Sequence, residues 1–286
     1  MSMSELVRVL LLAVIQGIAE FLPVSSSGHI VVLDELLKRS LGDLGHAQEN
    51  VMLNVTLHLG TLGAILVVYR KDLWGIWRRP RLCLQLILAT IPAGVIGVVY
   101  KKQIEATFEN PLMVACGWTV AAGLMWFSQR VGRGQRNLES LNEIDAWVIG
   151  LFQAVALVLR GASRSGSTIS GGLFMGLKRE DAAAFSFFAA IPAIGGAVAM
   201  KALPLVKHLV RGSDSSAAAA GDPFGGYSPL VLLIGALVSF AVGLVSLRWL
   251  LKIITTRGLD WFVYYLLTVA ALTFAWQAYE FYAPAP

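Results

Sequence analysis

Charged residues are scarce in this chain. Only 14% of its 286 residues are charged and 56% are hydrophobic, whereas a soluble domain carries roughly a quarter charged residues. Apolar runs of about 20 residues recur along the sequence, long enough to span a bilayer as helices. The composition excludes an ordinary soluble domain and predicts an all-α polytopic membrane protein, with one integral-membrane domain over residues 1–286.

Cysteine is scarce as well. Cys83 and Cys116 are the two cysteines, and both lie inside apolar runs. They offer neither a disulfide framework nor metal-ligand spacing, so we interpret them as packing residues. The net charge of +5 does not indicate a nucleic-acid partner, because the basic residues cluster in short loops between apolar runs. The predicted partners are membrane lipids.

Six apolar runs are predicted to cross the membrane as full helices. Two further apolar regions, 5–37 and 147–177, are interrupted in the middle by Pro23 or by Gly/Ser clusters. These breaks favour two re-entrant helix-loop-helix segments, each entering halfway and returning to the same face. The alternative is one long span plus extra residues in each region. The six predicted spans are 50–69, 83–100, 111–128, 182–203, 229–250 and 260–280.

The basic residues orient these spans. One alternation of loops places thirteen Lys and Arg on the cytoplasmic side and leaves eight elsewhere, apart from Arg160 and Arg164. Three full spans separate the two broken segments, so these enter from opposite sides. This predicts inverted-topology repeats with halves of about 1–128 and 147–286, an arrangement found in many transporters.

Short sequence similarities support the two halves. Gln16 and Gln153 each lead an apolar stretch into a Ser/Gly-rich segment, and Ile-Pro-Ala recurs at 91–93 and 191–193. Chance similarity among Ala/Gly/Leu-rich helices is the alternative. The low-complexity stretch 211–228 is predicted to be a flexible outside loop without chemistry.

The first polar segment is residues 16–29. Gln16 and Glu20 are four residues apart and share one helix face. An ionised side chain at mid-bilayer costs at least ~2.5–3.5 kcal/mol, so it usually marks a site; a polar stripe facing another helix or water is the alternative. If a second half-helix starts here, its free N–H groups favour an anion, although a serine could equally be an ordinary N-cap. The candidate phosphate-binding residues here are Ser25, Ser27 and Gly28, and Ser26 and His29 are candidate catalytic residues.

The second polar segment is residues 160–167. Arg164 stands between hydroxyls and glycine at a predicted half-helix start, which suits a phosphate; a structural ion pair with Glu20 is the alternative. The long stem of Arg160 reaches either a cavity or the membrane interface. His58 and Gln153 lie in apolar runs and are predicted to pack or hydrogen-bond. The candidate phosphate-binding residues here are Ser163, Arg164, Ser165 and Gly166.

Together the two segments would present Glu20, Ser26, His29 and Arg164 to one central cavity. This set contains a base, an anion clamp, a hydroxyl that either attacks the phosphorus or positions a water that does, and a proton shuttle at His29. These are the parts of a phosphoryl-transfer site. A carboxylate beside a phosphate is repulsive unless it is protonated or bridged by a cation. We therefore predict a divalent cation, Mg²⁺ or Ca²⁺, held by Glu20 and shared with the substrate phosphates.

These residues occur in recognisable motifs. The stretches QGIAEFLPVSSSGH (16–29), HLGTLGAILVVYRKDL (58–73), GASRSGSTISGG (161–172) and FSFFAAIPAI (185–194) closely resemble the undecaprenyl diphosphate phosphatase family of bacterial inner membranes. The resemblance covers nearly the whole chain. It implies hydrolysis of undecaprenyl diphosphate to undecaprenyl phosphate and inorganic phosphate, which recycles the lipid carrier of cell-wall synthesis. It also implies divalent-cation dependence, a homodimer, a site open to the periplasmic side and bacitracin tolerance.

The resemblance also assigns residues. Glu20 belongs to the acidic motif, with Gln16 at a position that is Glu or Gln, and Ser163 and Arg164 belong to the arginine motif. Arg160 replaces the proline usual in that motif, which affects the rigidity of the loop. The alternative function is an inverted-repeat transporter or a lipid flippase or scramblase. The residues assigned to the serine-glycine-histidine motif are Ser26, Ser27 and His29.

Overall fold

A computed structural model of the chain describes residues 3–41, 51–76, 78–106, 110–211 and 227–282. Throughout these ranges the regular structure is helical, with one isolated bridge between Arg136 and Leu177. The predicted loop at 211–228 falls almost entirely outside the described residues. The helices are α1 (Met3–Ala19), α2 (Ser26–Leu41), α3 (Val51–Val68), α4 (Arg70–Ile76), α5 (Pro80–Val99), α6 (Lys101–Ala106), α7 (Pro111–Val131), α8 (Glu143–Val158), α9 (Arg164–Phe174), α10 (Arg179–Arg211), α11 (Pro229–Arg257) and α12 (Asp260–Tyr282), with a 3₁₀ turn at Leu138–Ser140.

Each of the six predicted spans is helical. Five helices are long and apolar enough to cross a membrane: α5, α7, α10 over Arg179–Met200, α11 and α12. A sixth span is formed if Met52–Val68 is counted with Arg70–Ile76, which follows it after a bend of 81°. The prediction of an all-α polytopic membrane protein is confirmed.

The two interrupted regions are helical hairpins. The first break lies between α1 and α2 and the second between α8 and α9. In the first hairpin, Ile30 packs in one cluster with Leu12. In the second, Gly171 lies against Ile149, and the rings of Phe174 and Phe152 are 6.0 Å apart. The helices on either side of each break therefore fold back on each other, while their return within a bilayer stays a prediction.

The helix pairing matches an exchange of two halves. α1 packs on α11 and α8 packs on α5, while α7 packs on α12 and α3 on α10. In the predicted repeat, the helices that correspond are α1 and α8, α2 and α9, α3 and α10, α5 and α11, and α7 and α12. The contact of α1 with α11 then corresponds to the contact of α8 with α5. The contacts of α7 with α12 and of α3 with α10 each join two corresponding helices. The repeat and its inverted topology both stay predictions.

The start of α8 is fixed by charge and capping. The Asn142 side chain accepts from the Asp145 N–H, and the Asp145 carboxylate accepts from the Asn142 N–H. Arg136 donates to the same carboxylate, and this hydrogen bond raises the pKa of the guanidinium. These contacts fix the entry of the chain into the second hairpin.

Close backbone contact seats the second hairpin loop on α7. A Cβ atom on Gly117 would lie 1.9 Å from the Arg160 carbonyl oxygen and 2.9 Å from the Ala162 nitrogen. Only a residue without a side chain allows this approach. The loop that leads into Arg164 therefore rests directly on α7.

We expect Gly117→Ala to lower the free energy of unfolding by about 1–3 kcal/mol, since the loop must move away from α7. The matched control is Gly123→Ala on the same helix, where a Cβ would meet nothing within 4 Å. Thermal unfolding in detergent measures both. Equal melting temperatures for the two variants would show that the loop is not seated on Gly117.

Candidate active site

The second helix of each hairpin starts with the same cap. Ser25 and Ser163 have φ angles of 70° and 43° and are the non-glycine residues with positive φ among the described residues. The Ser25 hydroxyl accepts from the Gly28 N–H at 3.2 Å, and the Ser163 hydroxyl accepts from the Gly166 N–H at 3.1 Å. Such backbone strain, about 1–3 kcal/mol per residue, clusters at functional sites.

The hydroxyls around these caps repeat as well. Ser25 and Ser27 have their Oγ atoms 3.3 Å apart, and so do Ser163 and Ser165. Superposing the two caps places Ser26, the first residue of α2, on Arg164, the first residue of α9. Equivalent positions of the two hairpins therefore carry a hydroxyl and a guanidinium.

The two breaks also touch each other. The Ser165 hydroxyl donates to the Leu22 carbonyl at 3.2 Å. A Cβ on Gly166 would lie 3.3 Å from Cβ of Pro23. The start of α9 thus abuts the loop between α1 and α2, which brings the two polar segments to one place.

Glu20 lies at the centre of the contact between the two hairpins. Its side chain is 8% exposed, and Arg164 Nη2 donates to Oε1 at 2.7 Å. The other oxygen, Oε2, accepts from Ser26 Oγ at 2.9 Å and from Gln16 Nε2 at 3.0 Å. The structure therefore brings together the predicted base, hydroxyl and guanidinium, with Gln16 as a supporting donor.

Arg164 retains an unused donor. Its side chain is 20% exposed, yet Nη1 is buried without a hydrogen-bond partner among the described residues. A buried donor left unpaired costs about 1–3 kcal/mol. The structural ion pair with Glu20 does not account for this donor, whereas a bound anion would pair with it.

His58, which the sequence predicts to pack or hydrogen-bond, also lies beside Glu20. Its Nε2 lies 3.8 Å from Glu20 Oε2, and its Nδ1 lies 2.8 Å from the Asn54 carbonyl oxygen. The available signal was the spacing of Asn54 and His58, two polar residues one turn apart on the apolar helix α3.

The ring of His29 contacts neighbours other than Glu20, and its role as a proton shuttle stays a prediction. Its Nδ1 lies 2.8 Å from the Ser25 carbonyl oxygen and its Nε2 lies 2.7 Å from the Tyr265 hydroxyl. The ring stacks on Tyr265, with centroids 5.7 Å apart, and lies 5.0 Å from the Trp118 ring. Both ring nitrogens are engaged away from Glu20, so a proton shuttle through His29 would involve Tyr265.

The other supporting residues lie at the edge of the site or outside it. Gln153 is buried and donates to the Ala89 carbonyl at 3.2 Å, which joins α8 to α5. The half-buried Arg160 lies in the loop before Ser163, where its carbonyl faces Gly117. These contacts are with α5 for Gln153 and with α7 for the Arg160 carbonyl.

The residues fit a divalent cation only in part. Both oxygens of Glu20 already accept hydrogen bonds. The described residues contain no group of three or more His, Cys, Asp or Glu that could hold a metal ion. One carboxylate completed by phosphate oxygens and water is an arrangement that Mg²⁺ commonly uses. Glu20 could thus hold a cation together with a bound substrate.

The fold and this cluster define a polytopic helical membrane protein in which two hairpins meet at a buried acid, hydroxyl and guanidinium. Residues 9–272 match the family described as Bacitracin resistance protein BacA. The chain belongs to this family.

Curated relatives align with this chain over nearly its full length. Undecaprenyl-diphosphatase from Rhodopirellula baltica is 41% identical over 271 residues, covering 94% of this chain and 97% of the relative. The protein of the same name from Alkaliphilus metalliredigens is 34% identical, covering 93% and 96%. The one from Mycobacterium leprae is 37% identical, covering 92% and 91%. These relatives are bacterial enzymes.

Proposed function

We propose that this protein hydrolyses undecaprenyl diphosphate to undecaprenyl phosphate and inorganic phosphate, which recycles the lipid carrier of cell-wall synthesis. The observation that carries the proposal is the Glu20 carboxylate held between the Ser26 hydroxyl and an Arg164 guanidinium with a free donor. The names of the relatives support it. A hydroxyl, a carboxylate acceptor and an anion clamp in contact are parts that phosphoryl transfer uses.

In the first step Ser26 Oγ attacks the terminal phosphorus. The bond from this phosphorus to the bridging oxygen breaks, and the prenyl monophosphate leaves with the bridging oxygen. The serine proton passes to Glu20, whose Oε2 lies 2.9 Å from Oγ. Water then attacks the phosphorus of the phosphoserine, and the bond from this phosphorus to Ser26 Oγ breaks. Glu20 returns its proton to Ser26 Oγ, and inorganic phosphate leaves with the oxygen and protons of the water.

Arg164 links phosphate binding to the transfer of the Ser26 proton to Glu20. Its Nη2 donates to Glu20 Oε1 at 2.7 Å. Phosphate oxygens compete for the guanidinium, because bidentate pairing with phosphate is favourable. As Arg164 turns to the phosphate, the carboxylate is left free to accept the proton from Ser26. The N–H groups at the start of α9 add to the stabilisation of the phosphate charge.

A divalent cation, Mg²⁺ or Ca²⁺, belongs to this proposal. Glu20 and substrate phosphate oxygens would hold it together. When bound, it neutralises phosphate charge that would otherwise repel the carboxylate.

Phosphate release in detergent tests the function against the transporter or scramblase alternative. We expect purified protein to release phosphate from a polyprenyl diphosphate without a second compartment, and a chelator to stop the release until Mg²⁺ or Ca²⁺ is added back. Transport moves a substrate between compartments and needs no hydrolysis. No phosphate release with either cation present would refute the proposed function.

Ser26→Ala is expected to reduce phosphate release by roughly 10³-fold, since the nucleophile is removed. Ser27→Ala is the matched control, because the Ser27 hydroxyl contacts Ser25 and not Glu20; its loss should be much smaller. Acid quenching with labelled substrate should trap a phosphoenzyme in the wild type and none in Ser26→Ala. Wild-type rates in Ser26→Ala would exclude the phosphoserine route and leave Ser26 at most the role of positioning water.

The cellular setting is part of the same proposal. The chain is a multi-pass membrane protein, and we place it in the bacterial inner membrane with the basic loops in the cytoplasm. The site then opens to the periplasmic side, and the protein acts as a homodimer, as the family resemblance implies. Labelling of single-cysteine variants from one side of intact cells would test the orientation.

A further inference from the structure

We propose that the ends of α7, α10, α11 and α12 form a binding site for the headgroup of an anionic phospholipid. Three arginines surround the turn between α11 and α12, and two tryptophans lie beside them. This arginine cluster shares no residue with the Glu20 site, and the inference does not rest on the proposed hydrolysis. The residues of the arginine cluster are Arg130, Arg179, Arg257, Trp126 and Trp261.

The turn between α11 and α12 brings the arginines together. A Cβ atom on Gly258, whose φ is 75°, would lie 2.6 Å from Gln129 Oε1 and 3.0 Å from Arg179 Nη2. Arg130 Nη1 lies 3.7 Å from Asp260 Oδ1 on the other side of the turn. The end of α7 and the start of α10 therefore both contact the turn that follows α11.

The guanidinium groups of this cluster retain unused donors. The side chains of Arg179 and Arg257 form no hydrogen bond or ion pair within the part of the chain that the structure describes. Arg130 donates to the Trp126 carbonyl, and its ion pair with Asp260 is long and half-exposed. A guanidinium carries five N–H donors and keeps its charge. The cluster can therefore bind an anion without breaking a short ion pair.

Positive charge exceeds negative charge around these helix ends. Asp260 is shared by Arg130 alone among the printed ion pairs of the cluster. The other two acidic residues near the helix ends lie in the first turn of α10, where they also complement the helix dipole. The charged residues within three positions of these helix ends are the basic Arg130, Arg133, Lys178, Arg179 and Arg257 and the acidic Glu180, Asp181 and Asp260.

The tryptophans indicate the depth of the cluster in the membrane. Arg130 Cζ lies 4.2 Å from the centroid of the Trp126 ring, and Arg257 Cζ lies 5.9 Å from that of Trp261. The two tryptophans are 48% and 62% exposed. Exposed tryptophans of membrane proteins lie at the level of the lipid headgroups. A guanidinium on an aromatic face still presents its N–H groups at its edge, so the arginines can bind a headgroup phosphate.

The charge of the cluster selects among lipids. Guanidinium groups pair with phosphate through two parallel hydrogen bonds, and basic pockets between membrane helices bind anionic headgroups. A zwitterionic lipid adds a cationic group, which the excess positive charge repels. The occupant is therefore a phospholipid whose headgroup has a net negative charge.

Native mass spectrometry of the purified full chain tests the site. Phosphatidylglycerol and phosphatidylcholine with the same acyl chains are added in equal amounts, and the lipid retained by the protein is counted. We expect the wild type to retain phosphatidylglycerol preferentially. In the triple variant with Arg130→Gln, Arg179→Gln and Arg257→Gln, the apparent affinity for phosphatidylglycerol should fall at least tenfold, which corresponds to about 1.4 kcal/mol. The weak binding of phosphatidylcholine should not change.

A second triple variant is the matched control, because it loses the same charge elsewhere. It combines Arg78→Gln, Arg79→Gln and Arg81→Gln at the start of α5. Arg79 lies 3.7 Å from Glu139 and Arg81 lies 3.0 Å from Glu143, so these arginines already have acidic partners. We expect this variant to bind phosphatidylglycerol within about twofold of the wild type.

The outcomes separate a specific site from surface charge in general. An equal loss in both triple variants, or no preference of the wild type for phosphatidylglycerol, would overturn the proposal. Tighter binding of farnesyl monophosphate than of phosphatidylglycerol at the cluster would overturn the assignment to a phospholipid. If the glutamine variant at the cluster does not fold, lysine at the same three positions keeps the charge but loses bidentate pairing. A smaller loss, still confined to phosphatidylglycerol, is then expected, and no loss would count against the site.

Discussion

Arg164→Ala is expected to lower phosphate release by roughly 10³-fold, the scale of an arginine that stabilises phosphoryl transfer. The guanidinium donates to Glu20 through Nη2 and keeps Nη1 for a ligand. Alanine removes both the pairing with Glu20 and the clamp on the terminal phosphate. The rate of phosphate release from a prenyl diphosphate under saturating cation measures the loss.

A structural role for Arg164 makes a different prediction, and a double variant separates the two. Removing one partner of a buried ion pair destabilises a protein by about 3–5 kcal/mol, whereas removing both charges is often close to neutral. If the pair were only structural, Glu20→Gln combined with Arg164→Ala would recover both melting temperature and activity. We expect the double variant to recover melting temperature alone. Activity near the wild-type level in Arg164→Ala would contradict the assignment directly.

The helical architecture was predictable because its causes are local. Apolar runs of spanning length and the breaks at Pro23 and at the Ser/Gly segment are read directly from the sequence. The helices of the six spans start within three residues of the predicted positions, whereas α10 and α11 continue past their predicted ends at 203 and 250 to Arg211 and Arg257. The contact between Glu20 and Arg164 joins residues 144 positions apart. Chemistry suggested it, since a carboxylate and a guanidinium in apolar helices need partners.

The neighbours of Gln16 and Gln153 depend on how α1 and α8 are rotated about their own axes, and the sequence does not reveal this rotation. Gln16 lies three residues before the end of α1, whereas Gln153 lies five before the end of α8. Two residues correspond to about 200° of rotation on an α-helix. Gln16 therefore donates to Glu20, while its proposed counterpart Gln153 donates to Ala89 on α5.

The two histidines illustrate the same limit. His58 reaches Glu20 because of how α3 packs on α1, and nothing near His58 in the sequence encodes that packing. His29 lies in a recognisable motif, yet its ring is held by the Ser25 carbonyl and by Tyr265 on α12. The motif predicted that His29 belongs to this region of the fold but not which atoms it contacts.

Glu20→Gln should also reduce phosphate release by roughly 10³-fold, and it tests the acceptor role assigned to the carboxylate. Glutamine preserves the shape of the side chain but cannot accept the Ser26 proton. The positive charge of Arg164 then faces the ligand without a competing carboxylate. We therefore expect turnover to fall in the presence of the cation. The affinity for inorganic phosphate, measured by protection from thermal unfolding with a chelator present so that no cation joins Glu20 to the phosphate, should stay the same or increase.

A fall in turnover without a fall in phosphate affinity distinguishes a proton acceptor from a residue that only stabilises the arrangement of the site. The matched control is Gln16→Ala, which removes one donor to the same oxygen and, at about 1 kcal/mol for a hydrogen bond, should slow turnover by tenfold or less. If Glu20→Gln weakened phosphate binding in parallel with turnover, the carboxylate would be organising Arg164 and Ser26. In that case the proton of Ser26 would need another acceptor, and the steps proposed for this site would have to change.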